Sequence, residues 1–322
     1  MPNSSAPCFH TLSFSAPRRI LVATDLTDCD YLLPSVIAQA KASNAHVTLA
    51  HAIHPSNSFH IEAGIAPYGS GESIDGDVRG ALLNMCHQIE AHGIICDIDV
   101  QHGVASEVVR EALLATGAQR LILGTHGRGK LGQLVLGSVA NELLKTVEVP
   151  IFAVGPAVLN SPDHATPKKI LHPVSLAGDF QKSVDFALDL ARIYGAELTL
   201  LHVMTPEFGS KVSEHSLSWA RNALAELVSG GAELARPVQF MTVYGKVIEE
   251  ILCAATHIGA DWIVLGDSDS PAWSLKDSMA YKMFAAATCP VCAIRRGPRV
   301  AVEVTEKTTA KATGIPVVEP LG

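Results

Sequence analysis

The chain has 322 residues, of which 48% are hydrophobic and 17% charged, enough apolar material for two cores at roughly 150 residues per domain. A net charge of −8 argues against non-specific nucleic-acid binding, and no apolar run reaches the roughly 18 residues needed to span a bilayer. The seven cysteines are odd in number and scattered, which reads as reduced thiols in a cytoplasmic protein rather than a disulfide framework. Residues 1–17 lack the Lys or Arg of a signal peptide and read as a flexible tail.

From residue 18 the pattern alternates between strand and helix. A β-rich run over 19–24 precedes a helix over 32–43, with Leu33, Ile37 and Ala40 at helical spacing. A strand follows over 45–53, then a loop rich in Gly, Ser and Pro over 54–77. The helix over 78–92 is closed by Gly93, and a third strand occupies 94–101. Ser106 is placed to cap a helix over 106–116, with Val109, Leu113 and Leu114 assigned to one face. A fourth strand at 121–124, a helix over 139–146 and a strand over 150–154 complete the unit.

The unit then repeats. Arg19-Ile20-Leu21 returns as Lys169-Ile170-Leu171, and the run ending Leu49-Ala50-His51 returns as Leu200-Leu201-His202. The stretch from Gly103 to Gly124 returns at equal length from Gly245 to Gly266, and Pro150 returns as Pro290. Two domains are therefore expected at 18–157 and 168–297, joined by a polar linker over 158–167 and followed by a tail over 298–322. The fold class is α/β: two tandem Rossmann-like, doubly wound domains, each a five-stranded, mostly parallel sheet flanked by helices. In such sheets ligands sit beyond the carboxyl ends of the strands, where strand order reverses.

Behind the fourth strand lies Gly124-Thr125-His126-Gly127, with Arg128 and Lys130 following, and Gly137-Ser138-Val139 opens the next helix. Glycines admit close approach of backbone N–H groups to phosphate, and a helix start presents free N–H groups and a positive dipole end. Arg128 and Lys130 are candidates to neutralise outer phosphates. The Walker-like Gly124-x4-Gly129-Lys130 is set aside, because Leu131 stands where Mg²⁺ binding needs a hydroxyl.

The spacing Gly-x2-Gly-x9-Gly-Ser resembles the ATP-binding signature of universal stress proteins, and the resemblance extends over both copies. It implies that Thr24, Asp25 and Ala52 serve the adenine end of the site. Gly124, Thr125, His126, Gly127, Arg128, Gly137, Ser138 and Val139 would line ribose and phosphates. The implied ligand is ATP, with Mg or Mn as an optional companion. The resemblance also implies pairing of final strands, here 150–154 with 290–294, as a pseudo-dimer within one chain; a homodimer of chains is a further expectation.

The second copy departs from the pattern. Ser175 stands for Asp25, Asp269 for Gly127 and Asp277 for Gly137, so carboxylates would face a phosphate and one nucleotide per chain is expected. Cys289-x-x-Cys292 overlies the last strand and reads as two buried strand residues, and His51, matched by His202, reads as structural. The expected function is a regulatory or structural switch driven by ATP in the first copy. The alternatives are a slow ATPase or phosphotransferase, for which His126 is the one candidate base in the loop, and a nucleotide-free interaction protein.

Overall fold

The computed structural model describes residues 15–53, 71–125, 136–160, 165–176, 180–205, 214–228, 234–266 and 279–294. In the first copy the elements are β1 (Arg19–Ala23), α1 (Cys29–Ser43), β2 (His46–Ile53), α2 (Gly71–Glu90), β3 (Cys96–His102), α3 (Ala105–Thr116), β4 (Arg120–Gly124), α4 (Ser138–Thr146) and β5 (Ile151–Val154). The second copy contributes β6 (Lys169–Pro173), α5 (Gln181–Tyr194), β7 (Glu197–Met204), α6 (Glu214–Glu226), β8 (Gln239–Tyr244), α7 (Val247–Ile258), β9 (Trp262–Leu265), α8 (Met279–Ala286) and β10 (Val291–Ala293).

All ten strands form one sheet, in the order β3-β2-β1-β4-β5-β10-β9-β6-β7-β8. Neighbours within each copy are parallel. The copies meet where β5 and β10 pair antiparallel, with Phe152 opposite Cys292. Alternation along the strands divides the apolar residues between two cores. Ile20, Val22, Ile122 and Phe152 face one layer of helices with Leu32, Val36, Leu82 and Ile89. Leu21, Leu121, Leu123 and Ile151 face the other, with Val109, Ala112, Leu143 and Leu144. Strands covered on both sides explain why these runs are continuously apolar rather than alternating.

The junction between copies is aromatic and polar at once. Phe152 meets the Trp262 ring edge-on at 5.0 Å, and Tyr194 meets it from elsewhere at 4.9 Å. The Arg120 guanidinium, fully buried, lies 4.6 Å from the Phe152 ring centre. It donates to Gln39 Oε1 at 3.0 Å and to the Ser15 carbonyl at 2.8 Å. Ser15 in turn donates to Asp189 of the second copy. The segment expected as a flexible tail over 1–17 is therefore held at its end: Ser15 and Pro17 are buried.

Three local expectations are corrected. Helix α2 begins at Gly71 rather than Val78, so the expected loop over 54–77 gives up its last residues to helix. Apolar periodicity marks only the packed part of that helix (Leu82, Met85, Cys86 and Ile89), not its polar first turns. Helix α3 starts at Ala105 behind Val104, so Ser106 lies inside it and no side chain caps it. Leu114 is 83% exposed. It stands five residues from Val109, roughly 140° away around a helix, whereas Leu113 at four residues packs on the core.

Candidate functional site

Strand order reverses between β1 and β4, and a cleft of about 190 Å³ opens at their carboxyl ends. Its floor is apolar, formed by Ala23, Ala50, Ala52, Val109, Leu123 and Leu143. Asp25, Asp28 and His51 edge one side. Gly137, Ser138 and Val139, at the start of α4, edge the other.

The turn after β1 is built by short polar side chains. Asp25 Oδ1 accepts from the Thr27 amide at 2.9 Å and from its hydroxyl at 2.6 Å. The Leu26 amide donates to Thr24 Oγ1 at 2.9 Å. Together these bonds hold Leu26 at φ 69°, a left-handed conformation that costs a residue with a Cβ about 1–2 kcal/mol. Thr24 Oγ1 donates onward to Asp28 Oδ1 at 2.5 Å, so its hydroxyl is committed inside the protein. His51 Nδ1 lies 2.8 Å from the Thr24 carbonyl. A carbonyl only accepts, so Nδ1 carries the proton and Nε2 is the acceptor nitrogen. His202 repeats this bond to Val174 in the second copy, as the structural reading of that histidine requires.

On the opposite side the Thr125 carbonyl receives the Gly137 amide at 3.1 Å, which draws the two ends of the loop together. Gly137 is the N-cap of α4, and no side chain caps the helix. The first N–H groups of a helix have no partners within it, so those of Ser138, Val139 and Ala140 form a donor cluster at the cleft edge.

The two described glycines of the loop differ in purpose. A Cβ on Gly124 would collide with the Asp28 carboxylate and come within 3.1 Å of the Tyr31 hydroxyl. Among the described residues, a Cβ on Gly137 would meet the Thr125 carbonyl, at an ordinary 3.7 Å. Gly124 is thus demanded by the protein's own packing. At Gly137 the described residues leave space, and a group lying close to the backbone would use it.

Of the residues expected in the site, Thr24, Asp25, Ala52, Gly124, Gly137, Ser138 and Val139 line the cleft. Thr125 does not: it is buried, 3% exposed, and serves the loop through its backbone. His126, Gly127 and Arg128 lie outside the described residues, as do Lys130, Asp269 and Asp277. Sequence reasoning missed Asp28. That residue is 3% exposed, and desolvation, opposed by the Thr24 hydrogen bond and aided by Asp25, pushes its carboxyl up to about 7. Its signal lay in position, three residues after Asp25 at the mouth of α1.

The second copy keeps the framework and alters its interior. His172 is fully buried, its Nδ1 at 2.7 Å from the Val264 carbonyl and its Nε2 at 3.2 Å from Ser183 Oγ. Ser183 is the side chain that a Cβ on Gly266 would strike, as Asp28 is for Gly124. Cys289 and Cys292 are both buried, but only Cys292 lies on a strand, since β10 begins at Val291; desolvation pushes the Cys289 thiol up to about 12.

The model of the universal stress protein family matches residues 17–155 and 166–295. The chain belongs to the universal stress protein family. Curated universal stress proteins of Mycolicibacterium smegmatis are similar in sequence. One is 27% identical over 234 residues, covering 66% of this chain and 74% of that protein. Another is 36% identical over 85 residues, covering 25% of this chain and 65% of that one. A universal stress protein structure from Archaeoglobus fulgidus aligns with TM-score 0.65 at 19% identity, over 87% of this chain and 99% of that one. A putative one from Pseudomonas aeruginosa aligns with TM-score 0.62 at 16% identity, over 88% and 95%. At such identities the structures bear on the fold. Two universal stress protein domains in tandem, on a sheet flanked by helices, agree with the expected fold class. Among the described residues no helix is long and apolar enough to cross a membrane.

Proposed function

We propose that the first copy binds one adenine nucleotide, ATP, as a regulatory ligand in a cytoplasmic stress response. The observation that carries this reading is the cleft at the β1/β4 reversal, apolar at its floor and edged by an uncapped helix start. A flat base suits the alanine-rich floor beside Ala52 and Asp25. Phosphates suit the N–H groups of Ser138 and Val139, with the space at Gly137 admitting close approach. Gly127, Arg128 and His126 join the reading from sequence alone. Mg or Mn would enter with the phosphates. The second copy, paired through β10, acts as the internal partner of a pseudo-dimer.

The test is direct. Mass spectrometry of the denatured protein should release an adenine nucleotide, and calorimetric titration should give one site per chain. A ligand present at about 100 times its Kd raises stability by ~2.7 kcal/mol. The melting temperature should therefore rise with ATP while phosphate release stays far below ordinary enzyme turnover of ~1 s⁻¹ or more. Two equivalent sites, or none, would overturn the reading, and fast phosphate release would replace it with an ATPase or phosphotransferase.

A further inference from the structure

Asp28 has no place in the family signature, yet it lies against Gly124, the signature's first residue. Its carboxyl lines the cleft and is so close to the Gly124 backbone that a single added carbon at residue 124 would collide with it. One oxygen accepts from Thr24 Oγ1. None of the ion pairs among the described residues involves Asp28. Among the described residues, the titratable groups that face it are Asp25 in the turn above and Cys29 and Tyr31 on the helix it caps. His51 on β2 holds the other side of Thr24 through the backbone carbonyl. The cleft residues supplied by β4 and α4, namely Leu123, Gly124, Ser138, Val139, Ala140 and Leu143, contribute no titratable side chain. Two carboxyls therefore stand at the entrance of a cleft read as receiving a polyanion. Asp25 is half-buried and accepts hydrogen bonds from the Thr27 amide and hydroxyl. Asp28 is the one burial starves of solvation.

We propose that Asp28 is a proton-accepting group of the nucleotide cleft, so that the nucleotide anion binds with Asp28 neutral and affinity falls as pH rises. This inference rests on the nucleotide reading of the cleft and adds its regulation. Burial, with Asp25 adding to it and the Thr24 hydrogen bond opposing it, raises the carboxyl to about 7 in the free protein, and an arriving phosphate charge raises it further. A proton is taken from solvent on binding and returned on release. No bond other than O–H is made or broken. With a free-state value of about 7, the apparent Kd weakens about tenfold between pH 6 and pH 8.

The experiment is calorimetric titration of the full chain with ATP at pH 6, 7 and 8, at fixed ionic strength, in buffers of different ionisation enthalpy. The nucleotide's terminal phosphate titrates in the same range, so the informative quantity is the difference between wild type and Asp28→Asn. Wild type should weaken about tenfold more than the variant across the range, and should take up close to one more proton per nucleotide at pH 8. If Asp28→Asn fails to fold, Thr24→Val serves instead. Losing the hydrogen bond that favours the carboxylate raises the Asp28 midpoint and moves the weakening to higher pH. Parallel profiles for wild type and variant overturn the proposal and leave the nucleotide reading standing. Failure to bind ATP at every pH removes that reading, and the proposal with it.

Discussion

Replacing Gly124 by alanine tests whether the first glycine of the signature serves the ligand or the fold. The new methyl would collide with the Asp28 carboxylate and lie 3.1 Å from Asp28 Cβ and from the Tyr31 hydroxyl. None of these can withdraw freely, because Asp28 is 3% exposed and tied to Thr24, and Tyr31 is 7% exposed. Overpacking at such a position costs about 1–3 kcal/mol. The assay is urea unfolding, without nucleotide, of Gly124→Ala, Asp28→Ala and the double variant. Removing the Asp28 carboxyl clears the main obstruction, so the alanine at 124 should cost at least ~1 kcal/mol less in that background. Gly137→Ala is the contrasting case. Its backbone, at φ −56° and ψ 149°, admits any residue, and among the described residues its methyl meets the Thr125 carbonyl at an ordinary 3.7 Å. It should leave stability within about 1 kcal/mol and weaken ATP binding at least tenfold by filling the space above the helix start. Equal costs of Gly124→Ala in both backgrounds, within ~0.5 kcal/mol, would refute the packing argument.

Acid should destabilise the second copy through His172, whose folded-state value is lowered to about 4 from 6.5 by burial. Stability from keeping it neutral is complete above pH 6.5 and is lost as pH falls toward 4, an effect of ~3 kcal/mol. His172→Val, which places there the residue that Val22 supplies in the first copy and leaves Ser183 its hydrogen bond to the Phe180 carbonyl, should flatten urea-midpoint profiles over that window. Arg120→Ala removes the hydrogen bonds to Gln39 and the Ser15 carbonyl and a ring contact from a fully buried site, and should cost about 3 kcal/mol or more in urea unfolding. It should also expose the chain near Ser15 to limited proteolysis. Leu114→Lys should change stability by less than ~0.5 kcal/mol, whereas Leu113→Ala should cost measurably more; the reverse order would refute the phase of α3.

The sequence by itself determined the repeat, the order of strands and helices, and the end of the sheet at which the cleft opens. Those features are written in short-range pattern: continuous apolar runs such as Leu121-Ile122-Leu123, glycines at fixed spacing, and the recurrence of Pro150 as Pro290. Seven of the eleven expected site residues line the cleft because strand ends and a helix start can be located from pattern alone. Pattern could not decide which side of a residue faces the cleft. Thr125 follows Gly124 directly, yet it turns inward and works through its backbone. Nothing in the apolar pattern singles out Asp28; packing alone brings its carboxyl against Gly124. The start of α2 and the tie at Ser15 were equally illegible, because polar turns carry no apolar period and the partners of Ser15 lie 105 and 174 residues away. Burial, and the proton affinity that burial imposes on Asp28 and His172, depends on atoms distant in the chain and close in space. Only the tertiary structure brings them together.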